Sequence, residues 1–166
     1  DGQPITVTDP LMTRFMMTVD EAVDLFFFAL ENSDRGEICI TKSPAATIQD
    51  LVGAIIGLMD VKDANIQVIG TRHGEKLFET LMSREEMHFA EETGVFCSIK
   101  PFLKNTTYEE FFDVGSTSIT DAQDYNSHNA TRLTVEEIKT LLLRLPEAWF
   151  TELFRGSRAL RHRFGE

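Results

Sequence analysis

The sequence predicts an α/β fold, on three observations. Residues 1–82 alternate short apolar runs with longer segments of helical period, giving strand-helix-strand-helix-strand. Both helical segments open on a threonine with an acid three residues later: Thr18 with Glu21, and Thr47 with Asp50. Both also carry an apolar stripe at the same spacing, as expected of helices that cover a sheet.

Taken in order, Ile5-Thr6-Val7-Thr8 reads as the first strand. The first helix follows Thr18, with Val19, Ala22, Val23, Phe26, Phe27 and Leu30 as its stripe. Asn32 to Gly36 reads as a turn, Glu37 to Thr41 as the second strand, and Lys42 to Ala46 as a loop containing Pro44. The second helix follows Thr47, with Ile48, Leu51, Val52, Ile55, Ile56 and Met59 on one face. Ile66 to Ile69 is the third strand. Beyond it, Ser83 and Glu86 open a helix expected to run to Thr93, and Phe96 to Ile99 reads as a strand. Residues 113–132 are rich in Ser, Thr, Asp and Asn and read as a long loop or lid. Thr134 and Glu137 open another helix, with Val135, Ile138, Leu142 and Leu145 on its face. Pro146 ends that helix, and Trp149, Phe150, Leu153 and Phe154 form a short stripe ahead of a basic end. The expected organisation is therefore a substrate-side α/β portion over 1–82, an α-rich extension over 83–145, and a helical basic tail over 146–166.

Composition narrows the function classes. The chain has 166 residues, 42% hydrophobic and 26% charged, which suits a domain with a real core. A net charge of −11 argues against nucleic-acid partners, because phosphates are repelled by a body this acidic. No apolar run reaches membrane-spanning length, so no membrane span is expected. Cys39 and Cys97 sit in apolar, strand-like runs and read as buried free thiols, which fits a cytoplasmic location. No signal-peptide pattern is visible, although the chain opens on Asp1.

The most informative stretch is Thr71-Arg72-His73-Gly74-Glu75-Lys76, directly after the strand-like Ile66-Gln67-Val68-Ile69-Gly70. It sets a cation, a glycine turn and a carboxylate at a strand end. Arg72 offers a planar fork suited to a diphosphate, Gly74 permits close backbone approach, and Glu75 is placed to accept from ribose hydroxyls. A surface turn with an exposed ion pair has the same residues. A second arginine, Arg14, lies among Met12, Phe15, Met16 and Met17 and needs a counter-charge if buried. A phosphate meets that need, and so does a structural carboxylate such as Asp9 or Asp20. Asn126, Ser127, His128 and Asn129 form a polar tetrad that suits a sugar, a neighbouring subunit or closure of its own loop. His73, His128, Asp121 and Asp124 match no metal-ligand spacing, so no metal is expected.

Missing motifs limit the chemistry. There is no G-x-x-G-x-x-G loop and no Walker loop. Neither Tyr108 nor Tyr125 has a lysine four residues on, and no G-x-S-x-G elbow occurs.

The blocks Gly2 to Phe15 and Thr18 to Val23, then Gly70 to Leu81, then Ser83 to Met87, Tyr125 to Asn129 and Arg132 to Ile138 occur in order along the chain. Together they resemble the C-terminal half of bacterial capsular-polysaccharide biosynthesis proteins. These are UDP-N-acetylglucosamine 4,6-dehydratases, some with 5-epimerase activity, of the extended short-chain dehydrogenase/reductase family. The resemblance implies the C-terminal, substrate-binding portion of such a fold, with an α-rich C-terminal extension. It implies that Arg14 and Arg72 hold the diphosphate of a UDP-sugar and that Glu75 meets the ribose. Asn126 and His128 become candidates for a lid or a subunit contact. The family oxidises the sugar at C4 with bound NADP or NAD, loses water across C5 and C6, and returns hydride to C6. Its catalytic and cofactor groups belong to an N-terminal Rossmann half whose motifs this sequence lacks. The expectations are therefore a UDP-sugar ligand, no catalytic residue and no nicotinamide held by this chain alone, a Rossmann half as partner, and a homo-oligomer. The rival expectations are the related 4-epimerase chemistry and a non-catalytic assembly module.

Overall fold

A computed structural model describes residues 3–101 and 123–145. It contains, in chain order, β1 (Ile5–Val7), β2 (Thr13–Phe15), α1 (Val19–Asn32), β3 (Ile38–Thr41), β4 (Ala45–Thr47), α2 (Ile48–Met59) and β5 (Ile66–Val68). After these come β6 (Thr80–Met82), α3 (Arg84–Phe89), β7 (Ala90–Thr93), β8 (Phe96–Ile99), β9 (Tyr125–Asn126) and α4 (Val135–Leu142). The mixed α/β class is as expected. Each described helix starts where the sequence places a hydroxyl ahead of an acid. Thr18, Thr47, Ser83 and Thr134 all accept from the N–H three residues on, filling one of the donors that a helix start leaves open. At Thr18, Ser83 and Thr134 the glutamate reaches back to the cap N–H and completes the box.

The strands form four small sheets. β1 and β5 pair in parallel, with Ile5 beside Ile66 and Val7 beside Val68. β2 and β4 pair antiparallel, as do β6 and β9. The order β3-β8-β7 makes a three-stranded antiparallel sheet. The expected rhythm of residues 1–82 is thus only partly one layer. Its first and third strands pair with each other, but the middle strand joins β8. Ile40 explains the choice, since it is buried against Met82, Cys97 and Ile99 in one of two core clusters.

Several expectations are corrected. The loop over Lys42 to Ala46 gives way at Ala45 to β4, whose alanines are small enough to bury against β2. The helix from Ser83 stops at Phe89 rather than Thr93. Residues 90–93 instead pair with β8 through a two-residue connection, Gly94-Val95, with Gly94 at φ 63°. Pairing on a sheet edge outweighs the helical preference of Ala90, Glu91 and Glu92. In the polar stretch 113–132, residues 113–122 lie outside the described residues. The described remainder, 123–132, is mostly turn and loop as expected, pinned at two places: β9 joins β6, and Arg132 bridges to Ala45. The stripe around Trp149 and the basic tail also lie outside the described residues.

The two long helices behave differently. α2 buries Val52 and Ala54, and Ala54 packs against α4, where Ile138 is 0% exposed. α1 buries no residue fully. Its predicted stripe faces outward, with Phe26 59%, Phe27 54% and Leu30 65% exposed. The anchor is Phe28, a residue outside that stripe, stacked on Phe96 at 4.3 Å between ring centroids. Cys97 is buried as expected, and burial pushes its thiol pKa up. Cys39 is only half-buried, with Sγ 2.7 Å from Ser33 Oγ. No described helix is long and apolar enough to cross a membrane.

Candidate functional site

The site grows from the short strand β2. Asp9 accepts from the Leu11 N–H and shapes the turn before it. Ile48 and Gln49 donate their N–H groups to the carbonyls of Met12 and Pro10. The register with β4 sets Arg14 opposite Ala46, flanked by Thr13 opposite Thr47 and Phe15 opposite Ala45. Alternation along the strand then sends Thr13 and Phe15 to one face. Thr13 is buried there against the Ser127 turn, and the Phe15 ring lies 5.7 Å from Tyr125.

Arg14 is partly buried, and its guanidinium is already engaged. Nη1 donates to the Thr13 carbonyl at 2.7 Å, and Nη2 donates to the Lys76 carbonyl at 2.9 Å. Nε lies 3.8 Å from the Glu79 carboxylate. The carboxylate partner expected at Asp9 or Asp20 is therefore Glu79 instead. Asp20 sits in the first turn of α1, where a negative charge suits the helix dipole.

Arg72 and Glu75 lie on the exposed segment after β5. The Glu75 N–H donates to the Arg72 carbonyl at 3.1 Å, closing a four-residue turn. Gly74 takes φ 88° at its third position, the handedness that a type II turn requires and that glycine supplies without strain. The Glu75 carboxylate accepts from the Arg72 backbone N–H at 2.8 Å. A carboxylate has about four lone-pair sites, so this bond leaves acceptor capacity for a hydroxyl.

The two arginine-bearing segments meet through backbone. Thr13 N–H donates to the Leu77 carbonyl at 3.0 Å, next to the Arg14–Lys76 bond. β2 thereby clamps the C-terminal end of the turn segment that starts at Arg72. The polar tetrad closes the arrangement from the other side. Ser127 N–H donates to the Glu79 carbonyl at 2.8 Å, while Glu79 N–H donates to Ser127 Oγ at 2.9 Å. His128 Nδ1 lies 3.2 Å from Thr13 Oγ1, and its ring sits 5.5 Å from that of Phe78. Asn126 Oδ1 accepts from the N–H groups of His128 and Asn129 at 2.9 and 3.0 Å. Asn126 thus shapes the turn, and His128 stands exposed on it beside Phe78.

Tyr125 and Lys42 ionise away from their ordinary ranges near this face. Burial pushes the Tyr125 phenol up, keeping it a donor to the Ser43 carbonyl at neutral pH. The Lys42 ammonium is held charged by its hydrogen bond to Glu92. Among the described residues, no group of three or more His, Cys, Asp or Glu side chains is arranged to hold a metal.

The contributions of Thr13, Phe78 and Glu79 were not apparent in the sequence, and Ser127 was visible only as one member of the polar tetrad. No short-range spacing links Arg14 to Glu79, or Thr13 to Ser127; those pairs are joined only by the fold.

Backbone and side-chain hydrogen bonds thus join β2, the segment that carries Arg72 and Glu75, and the Ser127 turn on an α/β scaffold. Comparison with known proteins gives the family. Residues 1–101 match the family described as polysaccharide biosynthesis protein, and residues 104–148 match polysaccharide biosynthesis protein, C-terminal. The chain belongs to the polysaccharide biosynthesis protein family, within the extended short-chain dehydrogenase/reductase group. It is 44% identical over 144 residues to a UDP-glucose 4-epimerase of Rickettsia bellii (strain OSU 85-389), covering 87% of this chain and 42% of that protein. Against the UDP-glucose 4-epimerase of Rickettsia prowazekii (strain Madrid E) the identity is 41% over the same shares. Among solved structures, Pen from Bacillus thuringiensis matches with a TM-score of 0.69 and 32% identity, over 87% of this chain and 41% of that one. The chain spans about two fifths of the length of these relatives.

Proposed function

We propose that this chain is the UDP-sugar-binding part of a nucleotide-sugar-modifying enzyme of polysaccharide biosynthesis. Arg14 and Arg72 neutralise the diphosphate, and Glu75 accepts from the ribose. Residues 1–82 carry this substrate side, and the 83–145 extension contributes the Ser127 turn beside it. Asn126 and His128 sit on that turn, where they contact the sugar or a neighbouring subunit. One observation supports this reading above the rest: the Arg14 guanidinium is bonded to the segment that carries Arg72 and Glu75. The competing Glu79 contact is loose at 3.8 Å and partly solvated, so an arriving diphosphate displaces little.

The residues do not fit a nicotinamide site. The sequence offers no glycine-rich βα loop to cradle its pyrophosphate. In this reading NADP or NAD, and the groups that act on C4 of the sugar, are held by a complementary Rossmann half. The two-stranded parallel pair β1–β5 supports that partner, because parallel sheets are normally covered on both faces while Ile66 and Val68 are 46% and 58% exposed. A homo-oligomer of the complete unit, working in the cytoplasm, completes the proposal.

Two chemistries compete at C4. The sequence blocks resemble the 4,6-dehydratases of UDP-N-acetylglucosamine. The names of the Rickettsia relatives favour a 4-epimerase instead. Mass distinguishes them, since dehydration removes one water from the sugar and epimerisation leaves its mass unchanged. Calorimetric titration with UDP-N-acetylglucosamine tests the site first. Binding that Arg14→Ala or Arg72→Ala leaves intact overturns it. Mixing with a separately expressed Rossmann half then reads the chemistry by mass spectrometry of the sugar nucleotide. A stable complex with no turnover favours the assembly module.

A further inference from the structure

Ser127 and Thr13 stand apart from the other polar residues of the chain. Only three described polar or charged residues are buried, and these are two of them, at 0% and 1% exposure. They are 114 positions apart and bonded to each other, Oγ to Oγ1 at 2.8 Å. A buried hydroxyl is costly unless it is satisfied, so a satisfied pair fixes the geometry around it.

That geometry leads to Arg14. Ser127 Oγ accepts the Glu79 N–H at 2.9 Å and donates to the Thr13 carbonyl at 3.1 Å. The same carbonyl accepts from Arg14 Nη1 at 2.7 Å. One serine oxygen therefore joins the backbone of β2 to the backbone beside Glu79. It shares its acceptor with the guanidinium. Arg14 touches the same two segments, through Thr13 on one side and Lys76 on the other.

We propose that Ser127 is a positioning residue, which fixes the Arg14 guanidinium in the orientation that receives the diphosphate. This rests on the reading of Arg14 as a diphosphate ligand. Ser127 does not touch the ligand. It sets the spacing between β2 and residues 76–79, and with it the direction of the guanidinium fork. A preset fork loses less side-chain freedom on binding, and that is where the affinity gain arises.

The test uses the whole chain and two variants that remove one hydroxyl each, Ser127→Ala and Thr13→Val, with Thr13→Ser as the variant that keeps it. Two readouts are taken: the Arg14 Nε–Hε resonance in the free protein, and affinities for UDP and uridine. Ser127→Ala is expected to shift and broaden the Arg14 resonance. It should weaken UDP about tenfold, the equivalent of one hydrogen bond, while uridine is unchanged. Thr13→Val should act in the same direction and Thr13→Ser should restore both readouts. An Arg14 resonance and UDP affinity untouched by Ser127→Ala overturn the proposal. So does an equal loss for UDP and uridine, which marks a general structural role. If Ser127→Ala does not fold, the Thr13 pair decides alone. If the unaltered chain binds no UDP yet its Arg14 resonance responds to Ser127→Ala, the diphosphate reading fails and the positioning stands. If UDP binding needs Arg14 but not Ser127, the diphosphate reading stands and the positioning role fails.

Discussion

Arg14 Nη2 donates to the carbonyl of Lys76 at 2.9 Å, joining β2 to a turn segment 62 residues further along the chain. A guanidinium is well suited to this double task, because its planar fork can hold a backbone carbonyl on one side and still present N–H groups to an anion.

Arg14→Lys should therefore fail almost as badly as Arg14→Ala. The ammonium keeps the charge but lacks the fork that bridges the Thr13 and Lys76 carbonyls. Each variant is expected to lower UDP affinity about tenfold or more. Folding stability should fall by only about 1 kcal/mol, since the bonds lie in a partly solvated setting. Titration calorimetry and urea unfolding on the same samples separate the two effects.

Acid should weaken the carboxylate half of the capping box of α4. Glu137 accepts from the backbone N–H and the hydroxyl of Thr134, and these bonds hold its carboxyl below the usual 4.5. A carboxylate depressed in the folded state stabilises above its unfolded value, and that contribution is lost as pH falls through the folded one. The stability gap between the unaltered chain and Glu137→Gln should be constant from neutral pH down to about 4.5. It should then close on further acidification. Chemical unfolding midpoints from pH 7 to 3 check this.

The two cysteines should separate under alkylation. Cys97 is 0% exposed and its thiol is shifted up by burial, so it offers neither access nor thiolate. Cys39 is half-buried at the edge of the same sheet. Iodoacetamide at pH 8 should label Cys39 in the folded protein and Cys97 only in denaturant. Peptide mass mapping reads both. Equal labelling without denaturant would mean that β8 opens readily.

Helix starts were legible in the sequence because a cap is a local device: Thr18, Thr47, Ser83 and Thr134 each find their partner three residues away. Strand partners were not. Residues 90–93 look helical in isolation and become β7 only because β8 offers an edge. The arginines and Glu75 stood out by residue type beside a strand end. Glu79 did not, and Ser127 stood out only as part of a polar tetrad, because their roles come from separations that no window spans. The face of α1 was misjudged for a related reason. A stripe shows where the apolar residues are, not which neighbour is there to cover them.

That face supplies the last prediction. Phe26, Phe27 and Leu30 are all more than half exposed, whereas Phe28 stacks on Phe96 and holds α1 to the β3-β8-β7 sheet. Phe28→Ala should cost about 1–3 kcal/mol, because it removes both the burial and the ring contact. Phe27→Ser should cost less, about 1 kcal/mol or under, since the ring is 54% exposed and its ring contact is with the similarly exposed Phe26. The two differ again when a complementary Rossmann half is added. If the outward stripe is where that half packs, Phe27→Ser weakens the complex while leaving the isolated chain intact. Phe28→Ala weakens both. Urea midpoints for the chain alone, followed by sedimentation of the mixture, distinguish an interface residue from an anchor. Equal stability losses for the two phenylalanines would show that α1 packs through the predicted stripe after all.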